Sequence, residues 1–403
     1  MLTGCAPAAG PPAPPRLSTS PAAHRVAAQQ TLDALTEAVT HTDLRAFGTL
    51  VSDADPAFAT TAAMLWNNLQ QLSLGSLELT AGAREAPLPV SRRAQLGETA
   101  WAQQVRVRWR LPEEQLPAEH QVWISFVLAN NGALVAGTSD VPARDSRGQP
   151  LWWLEPVTAA RTAGSVAVVG SGGAATDWAA RAEVAASQVA ARLPRSLAAG
   201  WDRRLVVEVP ASRRSFERVL GVAAGSYRRI AAVTWPEGPT PKTAAVRIVV
   251  DPEAVSSLAG EGLAILLTHE ATHVATRSPG SAAPTWLVEG LADYVAYQAY
   301  PDTRDAAAAT VLAEVSRHGP PRALPDDAAF TPTAAQLDHS YAQAWLACRF
   351  AAETYSAPRL AELYRQANSG STVAEAIRSA FGVDEEQFTA AWRRYLVTLS
   401  GQR

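Results

Sequence analysis

Cysteine, methionine and lysine are almost missing from this chain. Its 403 residues include two cysteines (Cys5 and Cys348), two methionines and a single lysine, Lys242. Two cysteines cannot build a disulfide framework, which excludes the small stapled secreted folds. Cys348 lies in the apolar helical run YAQAWLACRF, where a thiol acts as a small buried hydrophobe. The basic charge is therefore nearly all arginine; with alanine so abundant, this reads as the imprint of a GC-rich genome. Charge is also sparse, with 18% charged residues and a net charge of −3. That balance points away from nucleic acid, or an anionic membrane surface, as the main partner. No segment reaches the roughly 18 consecutive apolar residues that a membrane span needs. What the chain does have is a 47% apolar content, suited to a globular protein, and length enough for two or three domains.

The N-terminal stretch MLTGC has the leucine, small polar residue, glycine and cysteine order of a bacterial lipoprotein cleavage box, with Cys5 as the lipidated residue. The following APAAGPPAPPRLSTSPAA is a Pro/Ala/Ser tether that cannot pack and would hold a domain off a surface. No charged n-region or apolar h-region precedes the box, as export requires. Either the reading frame starts further upstream, or the export segment has been trimmed, or the match is accidental. The expectation is an extracytoplasmic lipoprotein that meets the membrane only through its lipid.

After residues 1–23, the segment 24–52 reads as a helix with apolar residues at helical spacing, followed by a shorter one. Strand-like segments come next: LGSLELTAG, AWAQQVRVRWRL, EHQVWISFVLA and NNGALVAG, with PLWWLEPV (150–157) closing the set. VRVRW alternates strictly, as a half-buried antiparallel strand should. Helices followed by an antiparallel sheet make an α+β layer pattern. The element order of 24–157 resembles the NTF2-like or cystatin-like fold, a curved sheet wrapped on a helix. Trp101, Trp109, Trp123, Trp152 and Trp153 are expected to form its core.

A second domain is expected over 165–400. SVAVVGSGG lacks both the GK[ST] ending and the GxGxxG spacing, so it reads as a strand and a glycine turn and not as a phosphate loop. The helix DWAARAEVAASQVAARLP, the strand RLVVEVP, the short helix SRRSFERVLG and the strand in KTAAVRIVVDPEAV follow. The remainder is mostly helical. The fold expected here is a small mixed sheet followed by a helical bundle.

The chemistry is concentrated in LLTHEATHVATRSPGSAAPTWLVEGLADY. His269 and His273 stand four apart on an apolar helix, so both imidazoles reach one point, as a zinc site with nitrogen ligands requires. Glu270 is placed to take a proton from a zinc-bound water, the nucleophile, and to pass it to a leaving amine. Catalytic zinc needs a third protein ligand. A metzincin would have glycine and histidine at positions 276 and 279; Thr276 and Pro279 exclude that class. Instead PGSAAP breaks the helix, and a second helix returns with Glu289, 16 residues after His273, as third ligand. Asp293, one turn further on, can accept the remaining ring N–H of a histidine ligand. The alternative is two hydrogen-bonded core histidines, and the breaker, second helix and paired acids argue against it.

HEATH followed by WLVEGLADY resembles the gluzincin metallopeptidases, in particular the bacterial aminopeptidase-like group called peptidase MA-like, over roughly 175–400. The resemblance implies one Zn²⁺ per chain held by His269, His273 and Glu289, with Glu270 as general base. It also implies an oxyanion-stabilising tyrosine some 50–65 residues past the third ligand. Tyr341 is 52 past Glu289, and His339 is the nearby alternative. The group's GxMEN exopeptidase motif is absent, since Met1 and Met64 are the only methionines. N-terminal trimming is therefore not supported, and a peptide or protein substrate cut internally is more open. The rival reading is a surface scaffold lipoprotein that keeps a zinc-peptidase fold without turnover.

Overall fold

The computed structural model describes residues 20–129, 132–141, 148–171, 173–258 and 260–401. Cys5 and most of the tether lie outside them. The chain packs as two compact units. One is built from Met1–Thr60, Leu79–Arg106 and Val122–Ala143; the other from Thr61–Glu78, Val107–Gln121 and Arg144–Arg403.

The N-terminal elements are helices α1 (Pro21–Thr40), α2 (Leu44–Thr49) and α3 (Pro56–Leu72), strand β1 (Ser76–Pro87), helix α4 (Val90–Leu96) and strands β2 (Trp101–Arg110), β3 (Ala118–Ala129) and β4 (Gly132–Gly137). The strands form a sheet in the order β1-β2-β3-β4, with β3 and β4 antiparallel. Ser20 caps α1 through the amide of Ala23. Within the first unit, α1 is tied to β4 by the Thr31 hydroxyl, which donates to the Ala133 carbonyl. His24 stacks on Trp101 at 4.1 Å and holds Glu85 through Nδ1. This is the expected α+β pattern. Of the five tryptophans expected in the core, Trp101, Trp109 and Trp152 are buried, while Trp123 and Trp153 are half-buried.

PLWWLEPV is not a further strand of that sheet. Pro150, fixed near φ −56°, starts a single helical turn, α5 (Leu151–Leu154), and Val157 then opens β5 (Val157–Arg161) of a second sheet. Two clustered tryptophans fit a turn as well as a strand, and the proline decides it.

That second sheet runs β5-β6-β7-β9-β8, with β6 (Ser165–Gly170), β7 (Leu205–Val209), β8 (Ala232–Pro236) and β9 (Val246–Val250). β6, β7 and β9 are parallel neighbours, while β5 and β8 are antiparallel edges. The central strands read as unbroken valine-rich runs because both faces are covered. The crossovers carry α6 (Ala175–Arg192) and α7 (Arg213–Leu220); Ser212 and Gly221 cap α7. After α8 (Pro252–Val255) come α9 (Gly260–Thr276), α10 (Thr285–Ala299), α11 (Pro301–His318), α12 (Leu337–Tyr355), α13 (Ala357–Asn368), α14 (Val373–Phe381) and α15 (Glu385–Gly401). One continuous core joins the sheet to this helical bundle.

A largely buried charge network lies on the sheet. Arg247 of β9 makes a two-pronged contact with Glu114 at 2.8 and 2.9 Å and a third with Glu208 at 2.9 Å; its guanidinium lies 3.9 Å above the Trp109 ring. Glu237 accepts from His120 at 2.7 Å. Burial pushes Glu208 up to about 8 against the pull of Arg247. Burial works on Glu237 in the same sense, but His120 and then Arg247 outweigh it and hold its carboxyl low.

Candidate metal centre

Helix α9 carries the site. Its apolar residues pack it against α6, α10, β8 and β9. Thr268, Thr272 and Thr276 repeat at four-residue spacing, each donating its hydroxyl to the carbonyl four residues back (2.8, 2.9 and 2.9 Å). The polar atoms of this buried stripe are thus satisfied within the helix. Arg277, in the left-handed region at φ 51°, ends α9, and a 3₁₀ turn at Ser278–Gly280 leads into the chain reversal. Pro284 starts α10, whose first free amide, Thr285 N, donates to Asp327. The return is close because Gly290 lies directly against α12. A Cβ at that position would overlap the Ala344 carbonyl oxygen and lie 2.8 Å from Cys348 Sγ.

The three ligand atoms converge. His269 Nε2 and His273 Nε2 are 2.9 Å apart, and Glu289 Oε2 lies 3.2 Å from each. Donors bound to one ion at 2.0–2.2 Å in tetrahedral geometry are about 3.3 to 3.6 Å apart, so this slightly tighter triangle is close to the spacing that a zinc-sized cation needs. Among the described residues these three form the one cluster of metal-ligating side chains with that convergence. His269 Nδ1 is 2.7 Å from Asp293 Oδ1. A carboxylate can only accept, so Nδ1 carries a proton and Nε2 is the atom turned to the centre. A donor set of two imidazoles and one carboxylate is one that catalytic zinc sites use.

The electrostatics agree. Burial disfavours a charged His269, but Asp293 and Glu289 override it and raise its pKa well above the ordinary value. Burial alone would raise Glu289; the two histidines drive its carboxyl far below the carboxylate range. A pocket that holds a proton between these groups is one where a cation replaces it.

Glu270, directly after His269, is buried and does not join the triangle. Its Oε2 accepts from the Thr234 hydroxyl of β8 at 2.7 Å, and its main-chain carbonyl accepts from the same hydroxyl at 3.0 Å. Tyr341, near the start of α12, has its ring 6.2 Å from that of His269. Burial, then Glu289, Glu270 and Asp293, push its phenol well above the usual value, so it remains a donor. His339, the alternative, pairs instead with Glu314 at 3.7 Å and lines neither cavity at the centre.

Two cavities meet at this face. One, of about 490 Å³, is lined by β8, both histidines, Glu270, Glu289, Phe330 and Tyr341. The other, of about 540 Å³, shares His269, Glu270 and Tyr341 and continues over Leu266, Ala342 and Trp345. The structure therefore brings together all six site residues expected over 269–341. Thr234 was not among them, because no motif places a threonine of β8 over a glutamate 36 residues later.

Residues 235–398 match the Peptidase MA superfamily. The match spans the HEATH helix, the return through Glu289 and Asp293, and Tyr341, and supports a gluzincin-like peptidase domain there. No curated protein and no solved structure matches the chain significantly.

Proposed function

We propose that the chain is a zinc-dependent metallopeptidase that hydrolyses peptide bonds, held at the cell surface by a lipid on Cys5. One observation carries this reading: His269, His273 and Glu289 converge at 2.9–3.2 Å beside a carboxylate, Glu270, that is left out of the triangle. A purely structural zinc site closes its fourth position with a side chain; here the three residues and Glu270 line a cavity of about 490 Å³.

When bound, a zinc ion supplies Lewis acidity, polarising the scissile carbonyl and acidifying a water molecule. His269 and His273 would hold it through Nε2 and Glu289 through Oε2. The Glu270 carboxylate takes the proton of the attacking water and returns it to the departing amine nitrogen. Tyr341 donates its phenolic hydrogen to the oxygen that gains charge as the carbonyl becomes tetrahedral. Asp293 keeps the Nδ1 proton of His269 in place.

The test uses purified protein, metal analysis and a proteome-derived peptide library. Wild type should carry one zinc per chain and His269→Ala none. Glu270→Gln should keep the metal and cleave about 10²- to 10⁴-fold more slowly, the range for a lost general base. Equal zinc in wild type and His269→Ala, or full cleavage by Glu270→Gln, overturns the reading.

A further inference from the structure

Resting on the peptidase reading, we propose that Thr234 is the positioning residue for the general base: its hydroxyl fixes the Glu270 carboxylate so that one oxygen is held and the other is free to carry the proton. The observation is a pair of contacts from one Oγ1, 2.7 Å to Glu270 Oε2 and 3.0 Å to the Glu270 carbonyl oxygen. Among the described residues no hydrogen bond is formed by Oε1. The two carboxylate oxygens are therefore not equivalent: Oε2 is anchored and Oε1 is not, and Glu270 lines both cavities that meet at the triangle.

The anchor is rigid on the Thr234 side. Thr234 sits in β8, paired in register with Ile248 of β9, and is nearly fully buried. A β-branched side chain on a strand is stiff at χ1, so the hydroxyl has little freedom to follow a moving partner. Glutamate has three rotatable bonds and loses appreciable entropy when it is ordered. A base that must meet a water molecule at one point benefits from having that ordering done beforehand.

The single hydroxyl proton also suits the change of charge. While Glu270 is ionised, the shorter contact to Oε2 is charge-assisted. When Oε1 gains the proton, Oε2 becomes a neutral carbonyl-like acceptor, and the hydroxyl can shift toward the main-chain oxygen it already touches. No proton leaves Thr234 at any stage; its role is to hold Oε2.

The experiment compares wild type with Thr234→Val, which keeps the shape and removes the donor, and Thr234→Ser, which keeps the donor. Crystal structures of the zinc-loaded proteins read positioning directly. Thr234→Val should lose the single Glu270 side-chain conformation and Thr234→Ser should keep it. On the peptide library, Thr234→Val should show kcat lower by about 10- to 100-fold, the range for one hydrogen bond to a charged group. KM should stay within about twofold, zinc content should not change, and Thr234→Ser should recover most of kcat. A Glu270 carboxylate that keeps its place in Thr234→Val, or an unchanged kcat, overturns the proposal. A lower melting temperature with kcat intact marks the hydroxyl as merely structural and also overturns it. If wild-type protein binds no zinc or cleaves nothing, the peptidase reading fails, and the same comparison made on metal-free crystals still decides whether Thr234 positions Glu270.

Discussion

At the scale of single residues, the centre depends on groups that never touch the metal position. Asp293 is the clearest case. Its carboxylate, 2.7 Å from His269 Nδ1, fixes the tautomer that leaves Nε2 free and makes the ring more basic. Asp293→Asn keeps an acceptor but removes the charge. We expect zinc affinity to fall about 10- to 100-fold, measured by competition with a chelator, with helix content unchanged by circular dichroism. Unchanged affinity would mean that Asp293 only packs there. His269, His273, Glu289 and Asp293 are legible in the sequence because helical spacing and one chain reversal fix their positions. Tyr341 was reachable only through the family resemblance. Thr234 was not reachable, since its contact with Glu270 depends on which strand forms the sheet edge.

At the scale of elements, the third ligand is delivered by how closely α10 meets α12. Gly290, next to Glu289, has no room for a Cβ: the Ala344 main-chain oxygen and Cys348 Sγ occupy the space. Gly290→Ala should therefore push the helices apart, cost about 1–3 kcal/mol through overpacking and weaken zinc binding by displacing Glu289. Thermal melts and chelator competition measure the two effects. Cys348→Ala in the same chain should not restore either, because the Ala344 oxygen is backbone and remains. The glycine in WLVEGLADY carries no such information in the sequence alone. Other elements were also missed. α3 contains paired threonines and asparagines that blur its helical signal, and β8 is five residues long amid glycine and proline. α11 had a readable signal, a proline at its first turn followed by an alanine run. PLWWLEPV shows the converse, a run of aromatic residues that looks like strand and is divided by its prolines.

At the scale of the whole molecule, chain order and packing divide the protein along different lines. Sequence order suggests a peptidase domain beginning near residue 165. By packing, the unit holding the metal centre also includes Val107–Gln121, tied in by main-chain hydrogen bonds (Glu119 N to Glu237 O, Ala245 N to Pro117 O) and by charge. That segment supplies Glu114 and Trp109 to Arg247 and His120 to Glu237, all of them buried. Burial pushes the Glu208 carboxyl up, which makes it the weaker partner of Arg247. Removing one side of a buried ion pair costs about 3–5 kcal/mol because the remaining charge is left without compensation. A fragment of residues 165–403 would bury Arg247 without Glu114 and Glu237 without His120. It should aggregate, or melt well below the full chain and without a sharp transition, although it keeps every residue of the metal centre. Glu114→Gln in the full chain isolates the same term and should lower stability by a comparable amount in denaturant unfolding, with zinc stoichiometry intact. A 165–403 fragment that melts cooperatively within a few degrees of the full chain would show that the network contributes little and that the sequence-order boundary is also a folding boundary.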